Sequence, residues 1–371
     1  VKNQRKMKYA IIRRGIFTVL GAAVFGGALL AAGCSDWTES RPEFIDKPGH
    51  TARYYASLRD YKNSDHARYF GWYAGWVGTG ARMSNSLRGL PDSLDIVSLW
   101  ENQTNLDRNR MEDMRYVQQV KGTKVLFTFI VRNCGDGCTP AEHAGSVEEK
   151  SAFWGFVEND DAAREAACRK YANAVCDSLF KYGYDGFDID FEPSYGYSGN
   201  IAMKASVDPK PMLWFVGELS KRIGPLSGSG KMLVIDGETW SSPAELAPVY
   251  DYIIEQAYEA REPEDLQDRF DRYIKHFSPH RDAEELARIW FVTENFEKHR
   301  GTGGVAYVEQ DGTTMNSLLG MARWNPTLDG RTVRKGGCGV YRIETEYALN
   351  TRKGTFPWSR EAMQAMNPSN N

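Results

Sequence analysis

Eight short apolar runs recur along the chain, and amphipathic stretches with helical periodicity separate them. Several runs are almost continuously apolar, as from Val125 to Val131, which is typical of parallel strands buried on both faces. Strands that alternate with helices imply a parallel sheet, and eight such units favour a closed (β/α)8 barrel. The predicted strands are Tyr69–Trp76, Asp95–Trp100, Thr123–Val131, Gly186–Glu192, Lys231–Ile235, Tyr252–Tyr258, Ile289–Glu294 and Gly339–Ile343.

The segments between these runs support the same α/β class. Helical spacing is clearest over Thr104–Val120, Asp160–Tyr182, Met212–Ile223 and Pro263–Phe277. A doubly wound sheet is the alternative, but the glycines from Gly71 to Gly80 lack the spacing of a phosphate loop and a following apolar helix. We therefore predict one TIM-barrel domain over 63–371, in monomeric form, with long polar βα loops at 133–159, 193–211 and 296–336.

The N-terminus has the pattern of an export signal. A basic region precedes an apolar run that ends at Leu30-Ala-Ala-Gly33-Cys34, where the sequence turns polar. The small residues before Cys34 resemble the lipobox of bacterial lipoproteins, and this resemblance implies acylation of Cys34. A plain membrane-spanning anchor is the alternative. We expect a signal peptide at 1–33, a tether at 34–62, and a protein that is lipid-anchored at the bacterial outer membrane, on the cell surface.

Charge and cysteine content exclude some classes of partner. The formal net charge of -3 gives no basic excess for binding nucleic acid. Beyond Cys34 the chain has five cysteines, an odd number that cannot pair completely. Cys134 and Cys138 flank Gly-Asp-Gly and form either a small disulfide or two free thiols, since no second Cys or His pair completes a metal site. Neither a cofactor nor a metal is expected.

The most informative segment is Tyr184–Pro193, in the fourth predicted strand. Because side chains alternate along a strand, its three aromatic and aliphatic residues face the helices while three acids face the barrel interior: Phe187, Ile189 and Phe191 against Asp188, Asp190 and Glu192. Crowded carboxylates raise the pKa of at least one group, and the uppermost, Glu192, is the natural general acid. The alternating apolar positions argue against a solvated loop, and the glycine turn of a calcium loop is missing.

The D-x-x-D-x-D-x-E spacing of Asp185, Asp188, Asp190 and Glu192 resembles the signature of glycoside hydrolase family 18, which includes chitinases and endo-β-N-acetylglucosaminidases. This resemblance implies that Glu192 protonates the glycosidic oxygen, that Asp190 holds and polarises the 2-acetamido group of the substrate, and that Asp188 tunes the charge of Asp190. It also implies a retaining, substrate-assisted reaction in which the acetamide oxygen attacks the anomeric carbon.

A second match lies on the sixth predicted strand, where Gln256 and Tyr258 share a face. Chitinases of the family usually have Met-x-Tyr-Asp here, whereas its endo-β-N-acetylglucosaminidases have Gln-x-Tyr. The resemblance implies that Tyr258 stabilises the acetamide oxygen, that Gln256 helps to seat the sugar, and that the GlcNAc-β1,4-GlcNAc core of glycoprotein N-glycans is the substrate. A chitinase or chitooligosaccharide hydrolase, and a surface glycan-binding protein with little turnover, are the alternatives.

Aromatic residues near strand ends are candidates for stacking on sugar rings. Tyr195 and Tyr197 are favoured because they follow the acid, and the other candidates are Trp100, Trp240 and Trp324. Two departures from the family concern the sugar subsite. The third strand reads Thr128-Phe-Ile-Val-Arg-Asn in place of Ser-x-Gly-Gly, and the eighth strand lacks a Trp. On the eighth strand Tyr341 lies on the opposite face from Arg342 and Glu344, and the sequence does not show which face lines the barrel mouth.

Overall fold

The computed structural model of the chain describes residues 50–100, 105–349 and 354–368. The predicted signal peptide, Cys34 and the first part of the predicted tether lie outside the described residues. The last part of the tether range lies in helix α1, Ala52–Asn63, which begins at the capping side chain of Thr51. Within the described ranges, no helix combines the length and apolarity needed to cross a membrane.

Eight parallel strands close into a barrel, which confirms the predicted fold class. Each strand pairs with its neighbours in the chain order, and the last strand pairs with the first, Arg68 lying beside Gly337. Every strand overlaps one of the eight predicted runs. The strands are β1 Arg68–Tyr73, β2 Ile96–Trp100, β3 Lys124–Ile130, β4 Gly186–Phe191, β5 Met232–Gly237, β6 Tyr252–Glu255, β7 Trp290–Asn295 and β8 Gly337–Tyr341.

Helices connect the strands and cover the outside of the barrel. Local capping sets their ends: Asp160 accepts hydrogen bonds from the first turn of the longest helix, which stops at Gly183 with φ 78°. The four predicted helices correspond to α2, α4, α5 and α6 below. The helices after α1 are α2 Arg108–Tyr116, α3 Val147–Trp154, α4 Asp161–Tyr182, α5 Lys210–Leu219, α6 Pro263–Phe277, α7 Ala283–Ile289, α8 Phe296–His299, α9 Ser317–Arg323 and α10 Pro357–Met366.

The long connection before β8 has structure of its own. Besides α8 and α9 it contains two short antiparallel hairpins, which pair Ala306–Val308 with Thr314–Asn316 and Thr327–Leu328 with Arg331–Thr332. Strands of two or three residues carry too little periodicity to be recognised in a sequence. The predicted loop is therefore folded into a small subdomain on the barrel.

Alternation along the strands separates an inner from an outer core. The outward side chains of β4, including Phe187 and Phe191, join the large cluster between strands and helices. The inward apolar side chains form a smaller cluster inside the barrel: Phe70, Trp72, Ile96, Leu126, Val234, Ile254 and Phe291. Asp188 and Asp190 lie on the inward face of β4 and are almost fully buried. The barrel interior thus carries carboxyl groups within an apolar lining.

Glycine is required where the barrel closes between β8 and β1. A Cβ atom on Gly337 would overlap the carbonyl oxygen of Arg68 and the ring of Phe291, and one on Gly339 would overlap the carbonyl oxygen of Phe70. Backbone atoms of a paired strand cannot move aside without breaking the ladder. The absence of a side chain therefore permits the close approach that seals the barrel.

We expect Gly337→Ala to lower the free energy of unfolding by about 1–3 kcal/mol, because overpacking against backbone has no cheap relaxation. Gly217→Ala on α5 is the matched control, since a Cβ there meets nothing within 4 Å. Removing a helical glycine should leave stability unchanged or raise it by up to ~1 kcal/mol. Urea unfolding of both variants measures the difference, and equal stabilities would contradict the proposed role of Gly337.

Candidate active site

Strand β4 carries a row of acids towards the open end of the barrel. Asp188 is fully buried, Asp190 is 2% exposed, and Glu192, directly after the strand, is half-buried. Glu192 lines an open cavity of about 690 Å³ at the C-terminal ends of the strands. In a (β/α)8 barrel this is the end at which active sites are built.

Asp188 is held by donors from two neighbouring strands. Its Oδ2 accepts hydrogen bonds from Trp72 Nε1 at 2.9 Å and from Ser98 Oγ at 2.8 Å. Burial raises the pKa of Asp188 to about 6, although the hydrogen bonds from Ser98, Asp236 and Trp72 act in the opposite direction. Sequence reasoning missed Trp72 and Ser98, yet alternation along their strands would have placed both inside the barrel.

A third buried aspartate, Asp236, was not predicted. It lies on β5 in register with Asp190, and its Oδ1 accepts a hydrogen bond from Gln256 Nε2 at 2.9 Å. The predicted strand ended at Ile235, two residues before the observed end at Gly237, and so left out Asp236. Asp236 follows Val234 with the period of two that marks the inward face, and this spacing was the available signal.

The buried carboxyl groups favour protonation. Burial is the main cause of the raised pKa of both Asp190 and Asp236, and the neighbouring carboxyl groups raise each further. Two oxygens, Asp190 Oδ1 and Asp236 Oδ2, make no hydrogen bond to any residue that the structure describes. The site therefore offers carboxyl groups of raised pKa with free oxygens, which suit recognition of an amide group.

The pKa of Glu192 is raised as well, mainly by burial. The hydrogen bond with Gln256 lowers it, and the charge of Glu238 raises it. A carboxyl group whose pKa is raised, and that faces a cavity, has the properties of a general acid. Glu192 is placed to give a proton to a group bound in the cavity.

Hydrogen bonds join the end of β5 to the segment that carries Glu192 at the end of β4. Glu238 N donates to the Phe191 carbonyl at 2.7 Å, and the Glu238 carboxylate accepts from Ser194 N. Gly237, directly before Glu238, has φ 88°. A Cβ atom on Gly237 would lie 2.6 Å from the Phe191 oxygen and 3.0 Å from Glu192 Cγ. Gly237 and Glu238 thus fix the backbone on both sides of Glu192.

Aromatic rings surround the mouth above the acids. Tyr341, the last residue of β8, lies 6.3 Å from Trp72, 6.4 Å from Trp100 and 6.4 Å from Tyr258 between ring centroids. Tyr341 therefore faces the barrel mouth, which the sequence left open. Burial and the nearby Asp236 raise the pKa of Tyr258, so its hydroxyl stays protonated and able to donate.

The turn after Tyr258 is held by a buried carboxylate from β7. Glu259 has a left-handed backbone with φ 62°, unusual for a residue with a side chain. Glu294, which is fully buried, accepts from Glu259 N at 3.1 Å and from Asn295 N at 2.7 Å, and Ser317 Oγ donates to its other oxygen. Glu294 is therefore the group that fixes the backbone next to Tyr258.

Two of the four remaining aromatic candidates for sugar stacking line the cavity. Tyr195 and Trp240 line the cavity and are 71% and 38% exposed, whereas Tyr197, on the same turn as Tyr195, does not line it. Trp324 is not brought to the site: its ring packs 5.8 Å from that of Trp290, the first residue of β7, so it lies towards the opposite end of the barrel.

Asp185 also lies at the opposite end from Glu192. It precedes β4, and its carboxylate accepts from Gln118 Nε2 at 2.8 Å and from Val125 N at 2.9 Å. These bonds tie the start of β4 to β3, through Val125, and to the segment directly after α2, through Gln118. Asp185 therefore supports the barrel, and the row that reaches the cavity consists of the other three acids.

Metal-binding geometry does not occur in the described part of the chain, where no group of three or more His, Cys, Asp or Glu side chains could hold an ion. Cys134 and Cys138 are free thiols in this structure. Burial raises the pKa of Cys138 to about 12 and that of Cys134 further, so neither thiol is a reactive thiolate near neutral pH.

A closed parallel barrel with stacked carboxyl groups beneath a glutamate of raised pKa at its open mouth is the arrangement of a glycoside hydrolase. The family model described as glycoside hydrolase family 18, BT1044-like, matches residues 35–365. The chain therefore belongs to glycoside hydrolase family 18.

Individual relatives agree with this assignment. The chain is 29% identical over 330 residues to endo-β-N-acetylglucosaminidase F2 of Elizabethkingia meningoseptica, covering 84% of this chain and 85% of the relative. The solved structure of a selenomethionine variant of BT1044 superposes with a TM-score of 0.73 at 31% identity, covering 85% of this chain and 93% of the other. The endo-β-N-acetylglucosaminidase of Cordyceps militaris in apo form shares the fold, with a TM-score of 0.55 at 23% identity and coverage of 86% and 97%.

We expect Glu238→Gln to move the alkaline limb of the kcat/KM profile to lower pH, by a few tenths of a unit to about one unit. Glutamine keeps an acceptor for Ser194 N but removes the charge that raises the pKa of Glu192, so the acid loses its proton earlier as pH rises. Glu245→Gln, an exposed position on the same connection, is the control and should not move the limb. An unchanged profile for Glu238→Gln would disprove this coupling.

We expect Glu294→Ala to reduce kcat about 10- to 100-fold with a smaller change in KM, because Tyr258 loses its fixed position. Glu294→Gln should keep most activity, since its amide oxygen can accept the same two backbone N–H groups. Adding Glu259→Gly to Glu294→Ala should restore part of kcat, because glycine adopts a positive φ without strain. Circular dichroism controls for folding, and equal loss in the Ala and Gln variants would contradict the positioning role.

Proposed function

We propose that the chain is an endo-β-N-acetylglucosaminidase that hydrolyses the GlcNAc-β1,4-GlcNAc core of N-glycans on glycoproteins. The observation that carries this proposal is the hydrogen bond from Gln256 to Asp236, beside Asp190 and beneath Tyr258. This arrangement offers donors and acceptors suited to the amide of an N-acetylated sugar. Similarity to a relative named endo-β-N-acetylglucosaminidase F2 supports the same choice.

In the first step the substrate supplies its own nucleophile. Glu192 gives its proton to the glycosidic oxygen as the bond between that oxygen and the anomeric carbon breaks. The acetamide oxygen of the same sugar attacks the anomeric carbon and closes an oxazolinium ring. No second carboxylate has to reach the anomeric carbon, in agreement with a site in which Asp188 and Asp190 lie deeper in the barrel than Glu192.

The buried aspartates orient the acetamide. Asp190 Oδ1, which lacks a partner among the described residues, accepts the acetamide N–H and so holds and polarises the acetamide. Asp188 lies one step deeper on β4 and Asp236 lies beside Asp190 on β5; burial and the neighbouring Glu192 and Asp188 raise the pKa of Asp190. Because Asp188 is anchored by Trp72 and Ser98, proton redistribution within the row requires little movement of atoms.

Tyr258 and Gln256 complete the recognition of the reacting sugar. The Tyr258 hydroxyl donates to the acetamide oxygen and directs it towards the anomeric carbon. In the second step Glu192, now a carboxylate, takes a proton from water, and the water oxygen attacks the anomeric carbon and opens the ring. Two inversions at that carbon give net retention of configuration.

The test is incubation with a glycoprotein and, separately, with chitin oligomers, followed by mass spectrometry. We expect released glycans that end in a single GlcNAc, protein that retains one GlcNAc, and a product whose fresh anomer is β by NMR. Chitobiose from the oligomers, without action on the glycoprotein, would instead identify a chitinase. Binding of intact glycan without turnover would identify a glycan-binding protein.

Glu192→Gln should reduce turnover by about 100- to 10,000-fold, the usual contribution of a positioned general acid and base. Glycan affinity should be preserved, because the amide is isosteric with the carboxyl group. Glu245→Gln serves as the matched control at an exposed position and should keep full turnover. Persistent turnover in Glu192→Gln would show that another group is the acid.

A further inference from the structure

The catalytic cavity extends well beyond the reacting acids. Its lining runs from Glu192 past Gln256 and Tyr258 to helix α6, and it includes Trp240 on the connection after β5. The whole cavity measures about 690 Å³, which lies within the range of complete ligand-binding pockets. The part along α6 is lined by side chains outside the acid row of β4, which makes them candidates for binding a part of the ligand away from the cleaved bond.

Helix α6 presents a charged stripe to this part of the cavity. Asp265, Asp268, Arg269 and Arg272 follow the spacing i, i+3, i+4 and i+7, which places them on one face of a helix. The opposite face is apolar and buried against the barrel through Leu266, Phe270, Tyr273 and Phe277. The stripe is thus held on a rigid element.

Two members of the stripe are already engaged. Arg269 forms an ion pair of 2.8 Å with Glu255, which is 6% exposed at the end of β6, and Asp265 accepts from Arg261 N at 2.8 Å. Asp268 and Arg272 are exposed and make no hydrogen bond or ion pair with another residue in the described ranges. These two side chains are available to a ligand in the cavity.

The wall beside the stripe is also fixed. His276, one turn beyond Arg272, donates from Nε2 to the Ser242 carbonyl at 2.8 Å and so ties α6 to the connection that carries Trp240. A carboxylate offers only acceptors and a guanidinium only donors, which together satisfy sugar hydroxyl groups. The half-exposed Trp240 adds a flat apolar face for a sugar ring.

We propose that Asp268 and Arg272, together with Trp240, form a subsite for a neutral arm of a branched glycan, remote from the cleaved bond. This inference rests on the proposed function and adds the class of glycan. The arm is assigned as neutral because of the charges that line the cavity. Glu192 acts as the protonated acid and Arg269 is paired with Glu255, which leaves the carboxyl groups of Glu238, Asp265 and Asp268 against the single guanidinium group of Arg272. An acidic sugar at the end of an arm meets this excess of carboxyl groups.

The first experiment compares two glycopeptides, one with a branched neutral N-glycan and one trimmed back to its core mannose. Asp268→Ala and Arg272→Ala should raise KM for the branched substrate by about 5- to 50-fold, as expected for lost hydrogen bonds to charged groups, with little effect on kcat. The change for the trimmed substrate should be several times smaller. Asp271→Ala and Lys275→Ala, exposed on α6 but outside the cavity lining, are the matched controls.

The second experiment compares the neutral branched glycopeptide with its sialylated counterpart. The wild type should cleave the neutral form with the higher kcat/KM, and Asp268→Asn should narrow that ratio several-fold. Equal cleavage of both forms by the wild type would overturn the neutral assignment. Cleavage by the wild type with identical KM values in all α6 variants would overturn the subsite alone, whereas failure to cleave any glycopeptide would overturn the proposed function and the subsite with it.

Discussion

Burial of three aspartates inside an apolar barrel is the interaction on which the active site depends. Asp188, Asp190 and Asp236 have almost no contact with solvent, and the layer beneath them consists of residues such as Phe70 and Ile96. An ionised carboxylate is expensive in such surroundings unless donors compensate for lost water. Only Asp188 receives strong compensation, from Trp72 and Ser98, and the other two respond by holding protons. The fold thereby raises the pKa of the carboxyl groups that lie at the base of the proposed sugar site.

Two further carboxyl groups near the mouth of the barrel, those of Glu238 and Glu294, accept hydrogen bonds from backbone N–H groups. Glu238 accepts from Ser194 N beside Glu192, and Glu294 accepts from Glu259 N beside Tyr258. Each fixes a segment that directly follows a barrel strand, where strand pairing no longer holds the chain. Backbone strain at Glu259 is tolerated because the surrounding bonds over-determine its conformation. The reacting groups are therefore positioned by bonds to their own backbone as well as by the barrel.

The fold and the row on β4 could be predicted because both follow from a period of two. Apolar runs identified all eight barrel strands, and alternation within one of them placed Asp188 and Asp190 inside. Asp236 escaped because Asp-Gly-Glu after Ile235 has the composition of a turn, and only pairing with β4 extends the strand through it. Trp324 was misplaced for a related reason: a sequence shows that a residue lies near a strand end, whereas tertiary packing decides which end of the barrel receives it.

The division between strands and loops explains why the acid row was easier to place from the sequence than the residues of the proposed glycan subsite. The reacting groups lie on or next to strands β4, β5 and β6, where local spacing determines direction. The candidates for glycan selectivity are Trp240 and the charged stripe of α6. These residues line the cavity only because the helix packs against the connection after β5. In the sequence, Asp268 and Arg272 are indistinguishable from any solvated helix face. Their relation to Glu192 arises from a contact between elements that are far apart in the chain, so glycan selectivity can change without disturbing the buried acids.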